Sequence, residues 1–188
     1  GLIVSDVEMY EKWRNLRGQD PAYIWRSGVK HDCSNVMELE KFEDGYVNGF
    51  GEKLDLEDTY IYPFLKSSDV GNSRVKSCRK FVIVTQKNVG EDTSEIKEIA
   101  PKTWDYLVQH GEYLDNRKSS IYKGKPRFSI FGIGQYSFSD WKIAVSGLYK
   151  RFEFNIVTPM NGKPVLFDDT VNFISMNSEE EARFVYEL

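Results

Sequence analysis

Lys80-Phe81-Val82-Ile83-Val84-Thr85-Gln86 is the stretch on which the fold turns. Four of its seven residues are β-branched, and it carries one aromatic. Such side chains lose little freedom on a pleated strand and pack well there. The run is bounded by polar residues and is too short and too uniformly apolar for an amphipathic helix, so it predicts a buried strand. Upstream, 22–25 and 37–42 read as further strands, joined across a turn-rich connection at 45–51. Downstream, 127–148 reads as β-rich and broken by Gly132 and Gly134. Residues 152–157 and 165–176 read as strands joined through Asn161-Gly162, a pair that favours tight hairpin turns.

Helices are predicted at the margins of this framework. Residues 4–16 place Val7, Tyr10, Trp13 and Leu16 at spaced positions among charges, and Gly18-Gln19-Asp20-Pro21 ends the segment. The best helix starts at Thr93 or Ser94 as cap and runs to His110, with Pro101 dividing it and standing at N1 of the second piece. Ser178-Glu179-Glu180-Glu181 caps a last helix with Ala182, Val185 and Tyr186 among its apolar positions. Fold class is therefore α+β, a strand-rich mixed domain with a few peripheral helices. At 188 residues one domain is expected. Gly1 and the abrupt Tyr186-Glu187-Leu188 read as the ends of a piece of a longer protein.

Hydrophobic residues make up 40% and charged residues 29% of the chain, which excludes a disordered tail. No apolar run approaches a membrane span, and the N-terminus lacks a secretory signal pattern. Cys33 and Cys78 form neither a disulfide framework nor a metal motif, which fits a reducing cytoplasm. The aromatic content of 14% fits a β-rich core or a surface that stacks on flat ligands.

Net charge is −4, but its distribution is uneven. Eight basic side chains face one acid between 116 and 152: Arg117, Lys118, Lys123, Lys125, Arg127, Lys142, Lys150 and Arg151 against Asp140. Between 71 and 90, Arg74, Lys76, Arg79, Lys80 and Lys87 meet no acid. Gathered on one side they would make a cationic face on an acidic body. The competing interpretation is that an acidic chain of this size always contains some basic windows.

Catalytic motifs are missing: the chain has no P-loop, GxSxG, HExxH or cysteine cluster. Three lesser features have structural alternatives. Glu95-Ile96-Lys97 matches half of a metal-dependent nuclease site, with Asp69 upstream, but it opens a helix where that chemistry needs a strand end. Phe131-Gly132-Ile133-Gly134 resembles a nucleotide-binding loop, but no helix follows to aim its amides at a ligand; its glycines fit a tight bend or a close backbone approach. Asp168-Asp169 fits a hairpin flank better than a divalent-ion site. His110 is placed to cap a helix C-terminus, and His31 sits in a polar loop.

Three segments in order resemble a known family. Trp25-Arg26-Ser27-Gly28-Val29-Lys30-His31-Asp32 resembles the opening of the specificity domain of one branch of adenine-specific DNA methyltransferases. Tyr62-Pro63-Phe64-Leu65-Lys66-Ser67-Ser68-Asp69-Val70 is similar to the Tyr-Pro-Leu-Leu-Lys-x-x-Asp-Ile motif of TaqI-like C-terminal specificity domains. The run from Lys125 through Gly134 to Lys150, then 167–188, completes the set. The resemblance implies a target-recognition domain of a bacterial adenine-specific methyltransferase or type II restriction–modification enzyme. Residues 1–20 would be a linker helix from an upstream domain and 21–188 the DNA target-recognition domain.

In that family the catalytic part binds S-adenosylmethionine and carries an Asn-Pro-Pro-Tyr/Phe motif. This chain has no such tetrapeptide. The resemblance therefore implies no catalysis and no cofactor in this chain, with S-adenosylmethionine used in the parent enzyme. Its implied partners are double-stranded DNA and a methyltransferase domain, in cis or on a neighbouring chain. The expected DNA contacts are Arg26, Lys30 and His31 in one loop and Lys66, Ser67 and Ser68 in a second. In the basic stretch they are Arg117, Lys118, Lys123, Lys125, Arg127, Gln135, Tyr136, Lys142 and Ser146. Cations would hold phosphates, and paired donors would read base edges. The alternative is a protein-interaction domain with an exposed aromatic surface.

Overall fold

The computed structural model describes residues 3–14, 22–148 and 152–188. In chain order these form α1 (Val7–Trp13), β1 (Arg26–Ser27), α2 (Ser34–Met37), β2 (Glu38–Phe42), β3 (Gly45–Asn48), β4 (Lys53–Leu54) and β5 (Ile61–Leu65). They continue with α3 (Ser67–Val70), β6 (Lys80–Ile83), α4 (Ile96–Ile99), α5 (Pro101–Gln109) and α6 (Gly111–Asp115). The last elements are β7 (Trp141–Ser146), β8 (Asn155–Val157), β9 (Leu166–Phe167), β10 (Val171–Met176) and α7 (Glu179–Glu187). The class is α+β, as the sequence predicts.

Two sheets carry the fold. The larger has the order β4-β3-β2-β6-β5-β9, antiparallel except where β5 runs parallel to β9. The Lys80–Gln86 run sits inside it, with β6 paired to β2 on one side and β5 on the other. Past Ile83 the ladder stops but burial does not. Val84 N–H donates to Tyr60 O at 2.8 Å, and Thr85 Oγ1 to Phe128 O at 2.8 Å. Pro63 lies in β5 before β9 begins, so its missing N–H breaks no ladder bond on that side. The second sheet is antiparallel, order β1-β10-β7-β8.

Three apolar clusters follow. The first joins β2, β5 and β6 to α4–α6 and the 128–133 segment, through Leu39, Phe64, Val82, Ile96, Leu107, Phe128 and Ile130. The second joins the end of β5, α3 and β9 to the inner face of the smaller sheet, through Leu65, Val70, Phe167, Ala144 and Phe173. The third lies under α7, with Ile143, Ile174, Met176 and Ala182.

Several local expectations change. The strand expected at 22–25 lies at Arg26–Ser27, because pairing with Phe173 and Asn172 fixes it there. Much of the expected 45–51 connection is β3, a hairpin partner of β2. Of the window expected to be β-rich, 127–148, the 127–140 part holds no named strand and includes a 3₁₀ turn at Gln135–Phe138, and the strand that forms is β7. Asn161 and Gly162 do turn with positive φ of 53° and 72° and bridge Met160 to Lys163. The strands they connect go elsewhere, β8 to β7 and β9 to β5. Glu95, not Thr93 or Ser94, stands at the cap of α4; Thr93 Oγ1 instead donates to Arg127 O at 2.6 Å. Pro101 opens α5 as expected, and Ser178 Oγ accepts from Glu181 N at 3.1 Å to start α7. Leu16 and Gly18-Gln19-Asp20-Pro21 lie outside the described residues, as do Lys150 and Arg151 of the basic window.

Candidate nucleic-acid interface

The 26–32 loop leaves the edge strand β1 and is held by backbone bonds on both sides. Gly28 N donates to Val171 O at 3.0 Å, and Lys30 exchanges two 2.9 Å bonds with Phe131. Gly28 and Gly132 permit this approach. A Cβ at Gly132 would sit 2.1 Å from Gly28 O, and one at Gly28 2.2 Å from Phe167 O. Gly132 also has φ +65°. The backbone that these glycines admit is thus the chain's own. Gln135–Phe138, after Gly134, is a 3₁₀ turn, so the α-helix N-terminus that a phosphate-binding glycine loop needs is missing here.

Arg117 ties the second part of the face to the first. Its Nε donates to Leu114 O at 2.7 Å, and its Nη1 to His31 O at 3.0 Å and Ser129 O at 2.8 Å. The guanidinium lies 3.6 Å from the centre of the Tyr122 ring, and burial holds its pKa below the usual value. Tyr122 in turn packs edge-on against Phe131 at 5.4 Å. Loops 26–32, 114–125 and 128–136 are therefore one surface. Phe128 is the strained point of it, buried with φ +65°, and is fixed by the Thr85 hydroxyl on its carbonyl.

Between this surface and the 66–68 loop lies a cleft of about 230 Å³ lined by Lys30, His31, Asp32, Glu38, Lys66, Asp168 and Asp169. Lys30 Nζ meets Asp32 at 2.8 Å and Asp169 at 3.3 Å. Lys66 Nζ meets Asp168 at 2.6 Å and Glu38 at 2.7 Å. Burial alone would raise the Glu38 carboxyl, but hydrogen bonds from His31 and Lys66 hold it down to about 2. Hydrogen bonding to Asp32 raises Lys30, and Asp168 and Glu38 raise Lys66 against the effect of its burial. Both lysines are committed to carboxylates.

The fifteen expected contacts therefore separate. Lys142 is 1% exposed with Nζ hydrogen-bonded to Ser139 O, so it presents no cation at the surface. Burial pulls its pKa down to about 7. Ser67 and Ser146 are buried and share a 2.5 Å hydroxyl contact that joins α3 to β7. His31 is buried, accepting from Cys33 N at Nδ1 and facing Glu38. These four belong to the framework, which corrects the expectation that they face outward. Arg117 is a pin between loops, and Arg127 is paired with Asp115 at 2.9 Å. Ser68 offers its carbonyl to Asn72 at 2.6 Å.

Lys118, Lys123 and Lys125 are exposed and, among the described residues, have no ion-pair partner. Gln135 is exposed, and Arg26 lies 4.9 Å from the centre of the Tyr136 ring. Tyr122, Phe131 and the carboxylates that face the lysines were not anticipated. An aromatic inside a basic window was the one signal available for Tyr122.

The other features resolve structurally. His110 Nδ1 donates to Tyr106 O at 3.0 Å, and its Nε2 lies 2.8 Å from a Glu52 carboxylate oxygen, at the end of α5. Glu95-Ile96-Lys97 leads into α4. Among the described residues no group of three or more His, Cys, Asp or Glu is arranged to hold a metal ion. No helix among them is long and apolar enough to cross a membrane.

In fold the chain is similar to part of a solved restriction–modification enzyme. It matches the type IIL restriction–modification enzyme MmeI, solved in complex with DNA, with a TM-score of 0.53 over 85% of this chain and 20% of that one, at 12% identity. In sequence the chain is similar to the type II methyltransferase M.NspV of Nostoc sp. (strain ATCC 29411 / PCC 7524), 48% identical over 181 residues. That match takes in 96% of this chain and spans 38% of the relative's length. No protein-family model matches the chain. The likeness to restriction–modification methyltransferases read from the three sequence segments is thus shown, as a likeness to part of such a protein.

Proposed function

We propose that this chain is the DNA target-recognition part of a type II adenine methyltransferase or methylating restriction enzyme, and performs no methyl transfer itself. One observation carries this most. Loops 26–32, 114–125 and 128–136 are pinned into a single surface by Arg117, and that surface displays Lys118, Lys123 and Lys125 with no carboxylate partner among the described residues. Unpaired lysines on a rigid support suit a phosphate backbone, since each contact releases a counterion. Rigid loops keep neighbouring side chains in register with base edges.

Residues 1–20 would then serve as a linker helix and 21–188 as the recognition domain of a cytoplasmic enzyme. S-adenosylmethionine belongs to the catalytic part of the parent, in cis or on a neighbouring chain. A second function, protein docking, is favoured by one feature: Trp25, Leu148, Phe152 and Phe154 are exposed, with Trp25 and Phe154 in ring contact at 5.9 Å. It is compatible with the first if the partner is the methyltransferase part.

Fluorescence anisotropy with a labelled duplex at low salt tests the proposal. Saturable binding to duplex, together with no heat on titrating S-adenosylmethionine, is the expected result. Absence of duplex binding at low salt overturns it, and cofactor binding overturns the non-catalytic assignment.

A further inference from the structure

Arg26 differs from the other guanidiniums of this face. Arg117 donates to three carbonyls, Arg127 is paired with Asp115, and Arg74 lies near Asp69. The Arg26 guanidinium meets no carboxylate or carbonyl among the described residues and lies over the Tyr136 ring. That ring is itself fixed. Phe173 lies behind it with ring centres 6.0 Å apart, and Phe173 is also the cross-strand partner of Arg26 in the β1–β10 ladder. A Cβ at Gly134 would come within 2.5 Å of Tyr136 Cε1, so the ring fills space that glycine leaves open. Phe173, Tyr136 and Arg26 thus form a stack running from the core to the exposed rim, with Gln135 exposed beside it.

A guanidinium held on an aromatic face keeps its hydrogen-bonding fork while losing rotational freedom. Holding a phosphate needs charge, which flexible lysines supply. Reading guanine needs two parallel N–H donors aimed at O6 and N7, which a restrained fork supplies. We propose that Arg26, held on Tyr136, is the guanine-reading side chain of this domain and a determinant of its sequence preference. This rests on the DNA-recognition function proposed above.

The test is selection from a random duplex pool by the full chain at low salt, followed by sequencing, with the salt dependence of affinity measured on the enriched site. The wild-type chain is expected to enrich a site with an invariant G·C pair. Arg26→Ala is expected to lose roughly tenfold discrimination at that pair alone, with the salt slope unchanged. Arg26→Lys keeps the charge and should relax the same position, whereas Tyr136→Phe keeps the stack and the preference. Arg26 is exposed, so unfolding curves should match the wild type. A uniform loss over all sequences with a slope reduced by about one would make Arg26 a phosphate contact and overturn the inference, as would an unchanged preference. If the wild-type chain shows no salt-dependent duplex affinity, the DNA-recognition function fails first, and this inference with it.

Discussion

Replacing Arg117 with alanine removes the pin between three loops, and its cost can be worked from the contacts. Three carbonyls lose a charged donor, those of His31, Leu114 and Ser129. Hydrogen bonds to charged groups contribute about 1.5 kcal/mol or more each. The stacking on Tyr122 adds about 0.5–1 kcal/mol at a partly exposed site. The loops will recover part of this through water, so a loss of about 3 kcal/mol is expected. In a chain of 188 residues that lowers Tm by roughly 9 °C, at about 3 °C per kcal/mol.

Urea unfolding followed by tryptophan fluorescence measures the loss directly. Lys118→Ala is the control: one residue away, exposed and free of ion pairs, it should stay within about 0.5 kcal/mol of wild type. Arg117→Lys keeps the charge but not the fork, and should recover no more than about 1 kcal/mol. An Arg117→Ala cost below about 1 kcal/mol, or one equal to the control, refutes the assignment of Arg117 as a structural pin.

Other expectations concern charge and backbone. Glu38 is held at about 2 in the folded chain, below its ordinary 4.5, so its pairing stabilises the fold above pH 4.5 and is lost as pH falls toward 2. Glu38→Gln should therefore cost about 2 kcal/mol at pH 7 and show a shallower acid limb in unfolding; an acid limb identical to wild type contradicts this. Lys142 is depressed to about 7, so the unfolded chain binds the proton more readily between pH 7 and 10.5 and stability rises across that window. Lys142→Met should be the more stable protein at pH 6, with the advantage shrinking toward pH 10; a pH-independent difference counts against a buried charge. Gly132→Ala forces a Cβ into Gly28 O, whereas Gly124 has φ +67° in open space. Both substitutions carry roughly 1 kcal/mol of backbone strain, but only Gly132→Ala should also weaken DNA binding, and equal behaviour in both assays refutes the close-approach argument.

What the sequence disclosed follows the range of the forces involved. Local chemistry was readable: the β-branched 80–86 run, Pro101 at the start of α5, Ser178 before α7 and the positive φ at Asn161-Gly162. Pairing was not. Gly45–Asn48 has turn-like residues and becomes a strand because Glu38–Phe42 offers it an open ladder. The 127–140 segment has strand-like composition, but Arg127, Phe128 and Ile130 bond to side chains of Thr93, Thr85 and Gln86, over 30 residues away in the chain, and Phe131 bridges to Lys30.

The interface was legible as a set of charges and illegible as a set of free charges. Lys30 and Lys66 look like phosphate ligands until Asp169, Asp168 and Glu38 arrive from distant segments to pair with them. Lys142 occupies a polar position in the sequence, yet β7 lies between β10 and β8 and buries it. Lysines 118, 123 and 125 are exposed and without an ion pair among the described residues, in a loop that carries no acid from 116 to 125.

The central claim is that these three lysines meet a DNA backbone, and the salt dependence of duplex affinity tests it most directly. For the wild-type chain, log K should fall linearly with log salt concentration, and replacing Lys118, Lys123 and Lys125 together with alanine should make the slope shallower by about 2.7, at about 0.9 per phosphate contact. A wild-type affinity indifferent to salt, or a triple variant with the wild-type slope, contradicts it.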